Sequence, residues 1–368
     1  MWPRSWAWTI DSLILTTRPE GSALSDQRPV AITLGDAAGI GPEIIAKAFD
    51  HPTAAWGCVV FGDARIIQHT LHFLKLDPKL SVAVISDLSQ ALAMPQGVIP
   101  VWQVGVERDI PPWGQVSAAT GRLAADSVRA AAQAALNGQV QAVVTAPLNK
   151  TALAAAGESF PGHTELLQSL AASHLGVPVD QLPVRMMLAN PELRTVLVSI
   201  HVSLRQAIEA VTVDNVLQTL RIAHASLRNA HGGPPRLAMA GLNPHAGEGG
   251  LMGREEIDIL EPALELARSL GIDASGPYPP DTVFMRARAS HGQPNAIDAV
   301  VAMYHDQGLI PVKYMGLAHG VNVTLGLPFV RTSPDHGTAY DIAGQGVADP
   351  SSLLAALAMA RTLSARAV

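Results

Sequence analysis

The chain has 368 residues, of which 48% are hydrophobic and 15% charged, and its formal net charge is -6. This composition supports a sizeable folded core and excludes global disorder, and the length allows two domains or one large α/β unit. An acidic balance without any basic run argues against nucleic-acid binding. No segment approaches 18 uninterrupted apolar residues, so we expect no membrane span.

The cysteine content and the first residues bear on the cellular compartment. The single cysteine, Cys58, cannot form an intrachain disulfide and is followed by an apolar run. We interpret it as a buried core thiol and expect a cytoplasmic protein. Residues 1–27 lack the unbroken apolar segment of a signal peptide, because Asp11 and Ser12 interrupt it. We expect these residues to form a disordered extension.

Strand-like apolar runs alternate with helical patterns along the rest of the chain. The predicted strands cover residues 29–34, 57–63, 141–147, 194–200, 236–242 and 298–304. The predicted helices cover residues 42–49, 64–76, 117–138, 212–230, 254–271 and 351–363. This alternation predicts an α/β fold with a mostly parallel sheet and helices on both faces. In such folds ligands bind at the carboxyl ends of the strands.

A glycine-rich segment, GDAAGIGPE, follows the first predicted strand at residues 35–43. Its glycines could let backbone amides face an anion at a helix N-terminus. They stand at positions 35, 39 and 41, which is not the spacing of the dinucleotide fingerprint GxGxxG. A tight strand-to-helix turn remains an equal alternative.

The segment PGHTE, at residues 161–165, places His163 and Thr164 at the start of a predicted helix. Both side chains could bind a phosphate or a carboxylate there. For Thr164 the alternative is an N-cap, in which its hydroxyl accepts a backbone hydrogen bond.

Three histidines, His201, His245 and His305, each follow an apolar strand. His245 lies in LNPHAGEGG, a combination of residues that core packing does not require. Neutral imidazoles are good ligands for a divalent ion, so the three could meet at one sheet edge. Their separations of 44 and 60 residues carry no metal-binding signature by themselves.

A polar set follows His305 within 45 residues of glycine-rich sequence. Lys313, Asn322 and Arg331 fall on alternating strand-like pieces, and the side chains of Lys and Arg can bind a phosphate or a carboxylate. A surface salt bridge is the alternative for each basic residue alone.

The Pro- and Gly-rich stretch at 275–281 is the clearest internal seam, that is, the clearest break between predicted elements within the chain.

Seven motifs in a fixed order resemble one family. GDxAGIGPE, TAPLNK, PGHTE, NPHAGEGG, MYHDQG, GVNVTLGLPFVRTS and DHGTAYDIAG occur between residues 35 and 344. This resembles the 4-hydroxythreonine-4-phosphate dehydrogenase family of the vitamin B6 pathway. The run at 336–350 is also similar to the cofactor loop of isocitrate and isopropylmalate dehydrogenases, whose fold that family shares.

The resemblance implies two α/β/α domains with the active site in the cleft between them. We expect residues 28–150 together with 296–368 to form the first domain, which carries the cofactor loop. Residues 151–295 would form the second domain and the dimer contact. The family works as a homodimer with its active site at the subunit interface.

The resemblance also implies roles for single residues. The metal ligands would hold one zinc, magnesium or cobalt ion per subunit: His201, His245 and His305. The substrate ligands would be His163, Thr164, Lys313, Asn322 and Arg331. NAD or NADP would bind at His336, Gly337, Thr338, Ala339, Asp341 and Gly344. Asp306 and Lys313 are the candidates for the general base.

The implied reaction is oxidation of 4-phosphohydroxy-L-threonine, followed by decarboxylation to 3-amino-2-oxopropyl phosphate. TAPLNK is nearer to the branch of the family that acts on 4-phospho-D-threonate or D-erythronate, so that activity is an alternative. Ala37 stands where the family usually has proline, which would change only the rigidity of the turn. Oxidation of aromatic cis-dihydrodiols and metal-dependent hydrolysis are further alternatives.

Overall fold

The structure is a computed structural model that describes residues 28–51, 54–106, 109–228, 233–316 and 318–365. The extension expected at residues 1–27 lies outside these ranges. The chain divides into two compact units. The first contains the residues up to Ser159 and Thr338–Arg361, and the second contains Phe160–Gly337 and the residues after Arg361. Strands and helices alternate in both units, which confirms the predicted α/β class.

Among its described residues, the first unit contains five strands in the order β3-β4-β2-β1-β5. They are β1 (Val30–Thr33), β2 (Cys58–Gly62), β3 (Ser81–Val84), β4 (Val98–Gln103) and β5 (Ala142–Thr145). All neighbouring pairs are parallel. Every residue of β1, β2 and β5 is buried. Continuous apolar strands of this kind are typical of a parallel sheet covered on both faces.

The helices of the first unit include those predicted at 42–49, 64–76, 117–138 and 351–363. They span Gly41–Asp50, Ala64–Phe73, Gln90–Ala93, Ala118–Leu136, Lys150–Ala155 and Ser351–Ser364, the last ending beyond the unit boundary. Ser117 caps the alanine-rich helix, because its side chain accepts a hydrogen bond from the Thr120 amide. Asp63 and Asn149 cap two other helices in the same way.

In the part of the second unit that the structure describes, seven strands follow the order β12-β11-β6-β7-β10-β8-β9. They are β6 (Arg185–Ala189), β7 (Arg194–Leu197), β8 (Leu237–Ala240), β9 (Ala274–Tyr278), β10 (Ala299–Ala302), β11 (Val321–Leu325) and β12 (Val330–Pro334). The pairs β7–β10, β10–β8 and β8–β9 are parallel. The pairs β6–β7, β11–β6 and β11–β12 are antiparallel. The mostly parallel arrangement therefore holds for the first unit and only for half of the second.

Helices cover the strands of the second unit. They span His163–Leu175, Leu204–Glu209, Val213–Leu227, Glu261–Ser269, Val283–Ser290 and His305–Tyr314. One buried cluster joins Leu197 of β7, Val300 of β10, Phe284 and Leu309. This packing fixes the helix that begins at His305 against the two central parallel strands. None of the helices in the described ranges is both long and apolar enough to cross a bilayer.

Three details differ from the sequence-based expectations. Residues 296–337 belong to the second unit rather than the first, because β10, β11 and β12 pair with strands of that unit or with each other. The expected seam at 275–281 is largely the edge strand β9. Lys313 lies on a helix and not on a strand-like piece, because the helix that begins at His305 continues through Pro311.

Candidate active site

Two of the predicted metal ligands lie at the carboxyl ends of neighbouring strands. His201 follows β7 and His305 follows β10, and these strands are parallel with Leu197 opposite Ala302. Past the strand ends, the Val198 amide donates to the Ala302 carbonyl and the Ser199 hydroxyl donates to the Met303 carbonyl, both over 2.9 Å. The rings of His201 and His305 consequently come together, with their centroids 5.6 Å apart.

The geometry of this histidine pair fits a shared divalent ion. Imidazole nitrogens bind zinc at about 2.0–2.1 Å, so two rings in a tetrahedral site have centroids about 5 Å apart. The observed 5.6 Å is close to that distance. Nδ1 of His305 lies 2.7 Å from Oδ1 of Asp306, so Nε2 is the ring nitrogen that an ion could use. A carboxylate behind a ligating imidazole is a common way to orient the ring.

The third predicted ligand, His245, lies in a left-handed turn that follows β8. Residues 245–250 all have positive φ, with values between 46° and 96°. His201 also has a positive φ, of 52°. Non-glycine residues adopt this conformation at a cost, and such strain clusters at functional sites. Within the described ranges, no group of three His, Cys, Asp or Glu side chains is arranged to hold an ion. The described chain therefore brings together His201 and His305 as a pair.

The polar residues predicted to bind substrate occupy different elements of the second unit. Lys313, on the helix that begins at His305, forms an ion pair with Asp335 over 2.5 Å. Asn322 is half-buried on β11. Arg331 is only 4% exposed on β12 and donates to Thr324 Oγ1 over 3.0 Å. Burial lowers the pKa of Arg331 to about 10, so its guanidinium remains charged at neutral pH.

His163 and Thr164 form the first turn of the helix His163–Leu175. The N-cap of this helix is Gly162, without a side-chain hydrogen bond. The N-cap interpretation of Thr164 is therefore wrong, because the residue lies inside the helix. Helix N-termini favour anions, so both side chains lie where a phosphate could bind.

The glycine-rich turn of the first unit is a tight structural turn. Its amides already have partners inside the unit: Asp36 donates to the Pro147 carbonyl, Ala38 to Asp36 Oδ1, Gly39 to the Asp36 carbonyl and Ile40 to the Thr338 carbonyl. A Cβ at Gly39 would lie 2.8 Å from the Thr338 carbonyl oxygen. Because these amides are engaged, the structure favours the turn over the anion loop.

The predicted cofactor loop is anchored to this turn by a hydrogen bond between Tyr340 and Asp36. The Tyr340 hydroxyl donates to Asp36 Oδ2 over 2.8 Å, and the Thr120 hydroxyl donates to the same oxygen over 3.3 Å. Asp36 is fully buried, and burial raises the pKa of its carboxyl above the usual value despite these hydrogen bonds. Burial, followed by the bond to Asp36, also raises the pKa of Tyr340. Ala339 has a φ of 42°.

The other predicted cofactor residues surround this anchor. The unit boundary falls inside the loop, so His336 and Gly337 belong to the second unit and the remaining residues to the first. Gly344 lies against the indole of Trp113, where a Cβ would come within 2.3 Å of the ring. Asp341 is exposed, and its carbonyl accepts a hydrogen bond from Gln345. The loop is thus fixed on its inner side and open to solvent on part of its outer side.

The sequence reasoning missed four residues that shape these sites. Asp36, Asp335 and Tyr340 lie within the quoted motifs, but their partners are 22 to 304 residues away in sequence. Glu256 is a buried carboxylate in a segment that reads as an ordinary amphipathic helix. No local pattern indicates the role of Glu256, because its partners precede it by 13 and 14 residues.

Known proteins resemble this chain over nearly its whole length. The family model described as "Pyridoxal phosphate biosynthetic protein PdxA" matches residues 55–360. A 4-hydroxythreonine-4-phosphate dehydrogenase from Beijerinckia indica is 49% identical over 88% of this chain and 92% of its own length. The solved structure of a 4-hydroxythreonine-4-phosphate dehydrogenase from Burkholderia phymatum has a TM-score of 0.80 and 41% identity. That alignment covers 92% of this chain and 99% of the other.

A second solved structure carries a different activity in its name. A terephthalate 1,2-cis-dihydrodiol dehydrogenase from Burkholderia xenovorans LB400 has a TM-score of 0.64 and 32% identity. The alignment covers 92% of this chain and 98% of the other.

The α/β units, with polar loops at the carboxyl ends of parallel strands, and the named relatives define the class: the protein is an oxidoreductase. The chain belongs to the PdxA family of pyridoxal phosphate biosynthetic proteins. The resemblance that the seven sequence motifs indicated is thereby confirmed.

Proposed function

We propose that this oxidoreductase converts 4-phosphohydroxy-L-threonine with NAD or NADP to 2-amino-3-oxo-4-phosphooxybutanoate. That product then loses carbon dioxide to give 3-amino-2-oxopropyl phosphate. The observation that carries the proposal is the high identity, over about nine-tenths of the chain, to relatives named for this activity. The protein would act as a cytoplasmic homodimer.

The histidine pair is the part of the site that fits a divalent ion. We assign His201, His305 and His245 as its ligands. In a homodimer, one ion would be bound by ligands from both subunits. Zinc, magnesium or cobalt at this site would polarise the hydroxyl of the substrate and stabilise the negative charge that develops as it is oxidised. Asp306 would orient the ring of His305 through the 2.7 Å contact at Nδ1.

The basic residues of the second unit would hold the phosphate of the substrate. The buried guanidinium of Arg331 and the ammonium of Lys313 supply positive charge, and Asn322 adds a neutral donor. His163 and Thr164 present side chains at a helix N-terminus, where an anion is favoured. Holding the phosphate fixes the position of the reacting carbon, which lowers the entropic cost of the reaction.

Asp306 and Lys313 remain the two candidates for the general base, and their surroundings differ. Lys313 is paired with Asp335 over 2.5 Å, so its ammonium is already engaged in an ion pair. Asp306 is exposed and has one oxygen against His305. We therefore rank Asp306 first. If it is the base, Asp306→Asn should remove the acidic limb of the pH profile of kcat, whereas Lys313→Met should leave that limb in place.

The loop at 336–344 would bind NAD or NADP, which accepts the hydride. Its inner side is held by Asp36 through Tyr340, and its exposed residues Gly337 and Asp341 can face a ligand. A loop fixed on one side loses little conformational freedom when it binds. This arrangement fits a cofactor site that also contains His336, Thr338, Ala339 and Gly344.

The test is a comparison of substrates with the full-length protein, stripped of metal and then supplied with zinc, magnesium or cobalt. Reduced nicotinamide should form with 4-phosphohydroxy-L-threonine. Faster turnover of 4-phospho-D-threonate or 4-phospho-D-erythronate would favour the alternative that the TAPLNK motif raises. Preference for a cis-dihydrodiol would favour the activity named for the Burkholderia xenovorans relative. Release of inorganic phosphate without reduced nicotinamide would indicate a hydrolase and refute the proposal.

A further inference from the structure

The turn that carries His245 needs a specific support. Six consecutive residues, from His245 to Gly250, have positive φ, and three of them are not glycine. Left-handed conformations are unfavourable for residues with a Cβ, so a free chain of this sequence would leave them. The surrounding structure must therefore hold the turn.

A single buried carboxylate lies at the base of this turn. Glu256 is 2% exposed, and its Oε1 accepts hydrogen bonds from the amides of Leu242 and Asn243, each over 2.8 Å. Its Oε2 accepts a third hydrogen bond, from Nδ2 of Asn243, over 2.9 Å. These donors occupy the short segment that joins β8 to the turn. A carboxylate is an acceptor at both oxygens, so it can satisfy all three donors at once.

The turn also packs directly on this carboxylate. A Cβ added at Gly247 would lie 2.7 Å from Oε2 of Glu256, and one at Gly241 would lie 3.1 Å from Oε1. Both glycines thus permit the backbone to close around the carboxylate. Glu256 therefore contacts the chain before the turn and the chain within it.

A second side chain links this region to the other histidines. Gln307, two residues beyond His305, accepts a hydrogen bond from the Met303 amide over 2.7 Å. Its Nε2 donates to the Gly241 carbonyl over 2.8 Å. The end of β10, which leads to His305, is in this way joined to the end of β8, which leads to His245. Gln307 therefore supports both the segment that leads to His305 and the segment that leads to His245.

From this geometry we infer that Glu256 is a positioning residue that holds His245 in its ligand conformation. This inference rests on the proposed function, because it assumes that His245 binds the ion. Glu256 is buried and accepts its hydrogen bonds from Leu242 and Asn243. It acts through the backbone of residues 242–247. Removing its carboxylate would leave two backbone amides unsatisfied and release the strained turn.

The experiment measures ion binding and not turnover. The full-length protein, stripped of metal, is titrated with Co²⁺ in competition with a chromophoric chelator, and the visible spectrum of bound Co²⁺ is recorded. Glu256→Ala should weaken Co²⁺ binding by about 10-fold to 100-fold, the usual effect of losing a group that supports a metal ligand. Glu256→Gln should weaken it less, because its amide oxygen can still accept from the Leu242 and Asn243 amides. Some loss should remain, because its amide nitrogen cannot accept the hydrogen bond from Nδ2 of Asn243.

Glu255→Gln is the matched control. Glu255 is the adjacent carboxylate, and it accepts a hydrogen bond from the Asn243 side chain but not from the backbone before the turn. This variant should bind Co²⁺ as the unaltered protein does. NAD affinity and thermal stability are measured on all variants. A merely structural role would lower both in step with Co²⁺ affinity, whereas a positioning role lowers Co²⁺ affinity selectively.

Each outcome bears on the inference separately from the proposed function. Unchanged Co²⁺ affinity and spectrum in folded Glu256→Ala would overturn the inference, even if the protein oxidises its proposed substrate. If Glu256→Ala does not fold, Glu256→Gln decides: an affinity and spectrum identical to those of the unaltered protein would overturn it. If the unaltered protein binds Co²⁺ but oxidises none of the phosphorylated substrates, the proposed function fails while the test of Glu256 still stands.

Discussion

The two units support their functional loops in similar ways but with different hydrogen-bond donors. In the first unit, buried Asp36 holds the loop of Tyr340 through the hydroxyl of that residue. Asp36 also accepts from the Thr120 hydroxyl and from one amide of its own turn. In the second unit, buried Glu256 holds the turn of His245 through two backbone amides and one side-chain amide. Hydroxyl groups can donate or accept, whereas amide N–H groups only donate. The Asp36 site therefore tolerates a protonated carboxyl, and the Glu256 site requires an acceptor.

This difference matters because the two loops have different proposed roles. A metal ligand needs a defined position, and backbone amides at the base of a turn define the path of the chain closely. A cofactor loop must admit and release its ligand, and a single tyrosine hydroxyl on a carboxylate is a simpler anchor. Four predictions test the contrast, in order of decreasing effect.

The largest effect should come from His201→Ala, which breaks the histidine pair of the second unit. Loss of a metal ligand removes stabilisation worth several kcal/mol, so kcat/KM should fall about 1000-fold. Steady-state kinetics and metal content measure this effect. His174→Ala, at an exposed position on the helix His163–Leu175, should leave both unchanged. If His201→Ala keeps its metal and its rate, the assignment of the pair as ligands is wrong.

A pair of glycine variants tests how closely the second unit packs its turn. Gly247 and Gly249 both have positive φ, of 78° and 65°. Gly247→Ala should lower the free energy of unfolding by about 2–5 kcal/mol, because the new Cβ meets Glu256 in addition to the backbone strain. Gly249→Ala should cost only about 1–2 kcal/mol, since open space surrounds it. Urea denaturation gives both values, and equal costs would contradict the proposed close packing.

Tyr340→Phe removes the anchor of the first unit without changing the ring. The buried carboxylate of Asp36 loses one hydrogen bond, so the free energy of unfolding should fall by about 1–2 kcal/mol. The KM for NAD should rise while Co²⁺ affinity stays the same. Tyr314→Phe is the control, because Tyr314 is 90% exposed. A change in Co²⁺ affinity with no change in the KM for NAD would reverse the roles assigned to the two units.

The smallest effect concerns pH. The pKa of Asp36 is raised above 3.8 in the folded protein, chiefly by burial. The folded state therefore binds this proton more tightly than the unfolded chain does. The resulting stabilisation is fully present below pH 3.8 and is lost as pH rises through the raised pKa. Asp36→Asn cannot bind the proton.

The stability difference between unaltered protein and Asp36→Asn should accordingly change by at most about 1.4 kcal/mol per pH unit, in favour of the unaltered protein as the solution becomes acidic. Urea denaturation of both proteins between about pH 4 and about pH 7 measures it. A difference that is independent of pH would show that the carboxyl does not titrate in this range.

The sequence was sufficient for many local features of the fold, but β3, β4, β6 and β9 were not among the predicted strands. Parallel strands such as β1, β2 and β5 were predictable because each is a short, continuous apolar run between helical patterns. The family was also predictable, since the order of seven motifs is specific. The sequence predicted that His201, His245 and His305 could meet at one sheet edge. The described residues bring His201 and His305 together, and the set of three stays a prediction.

Strand direction and the element around Lys313 were harder to predict. The antiparallel strands β6, β11 and β12 have the same local composition as parallel ones, and direction depends on the path of the chain between them. Lys313 follows a proline, which normally ends a helix, yet packing of Leu309 and Val312 against the sheet keeps the helix intact.

What the sequence determined by itself was the class of the fold and the family, and it predicted which residues carry the chemistry. Only the tertiary structure decided how those residues are supported: the hydroxyl of Tyr340 on Asp36, 304 residues away, and the amides before His245 on Glu256. Periodicity and motifs reflect interactions between residues close in sequence. A buried carboxylate finds its donors through the folded path of the chain, so its role emerges only when the strands that lead to those donors are in place.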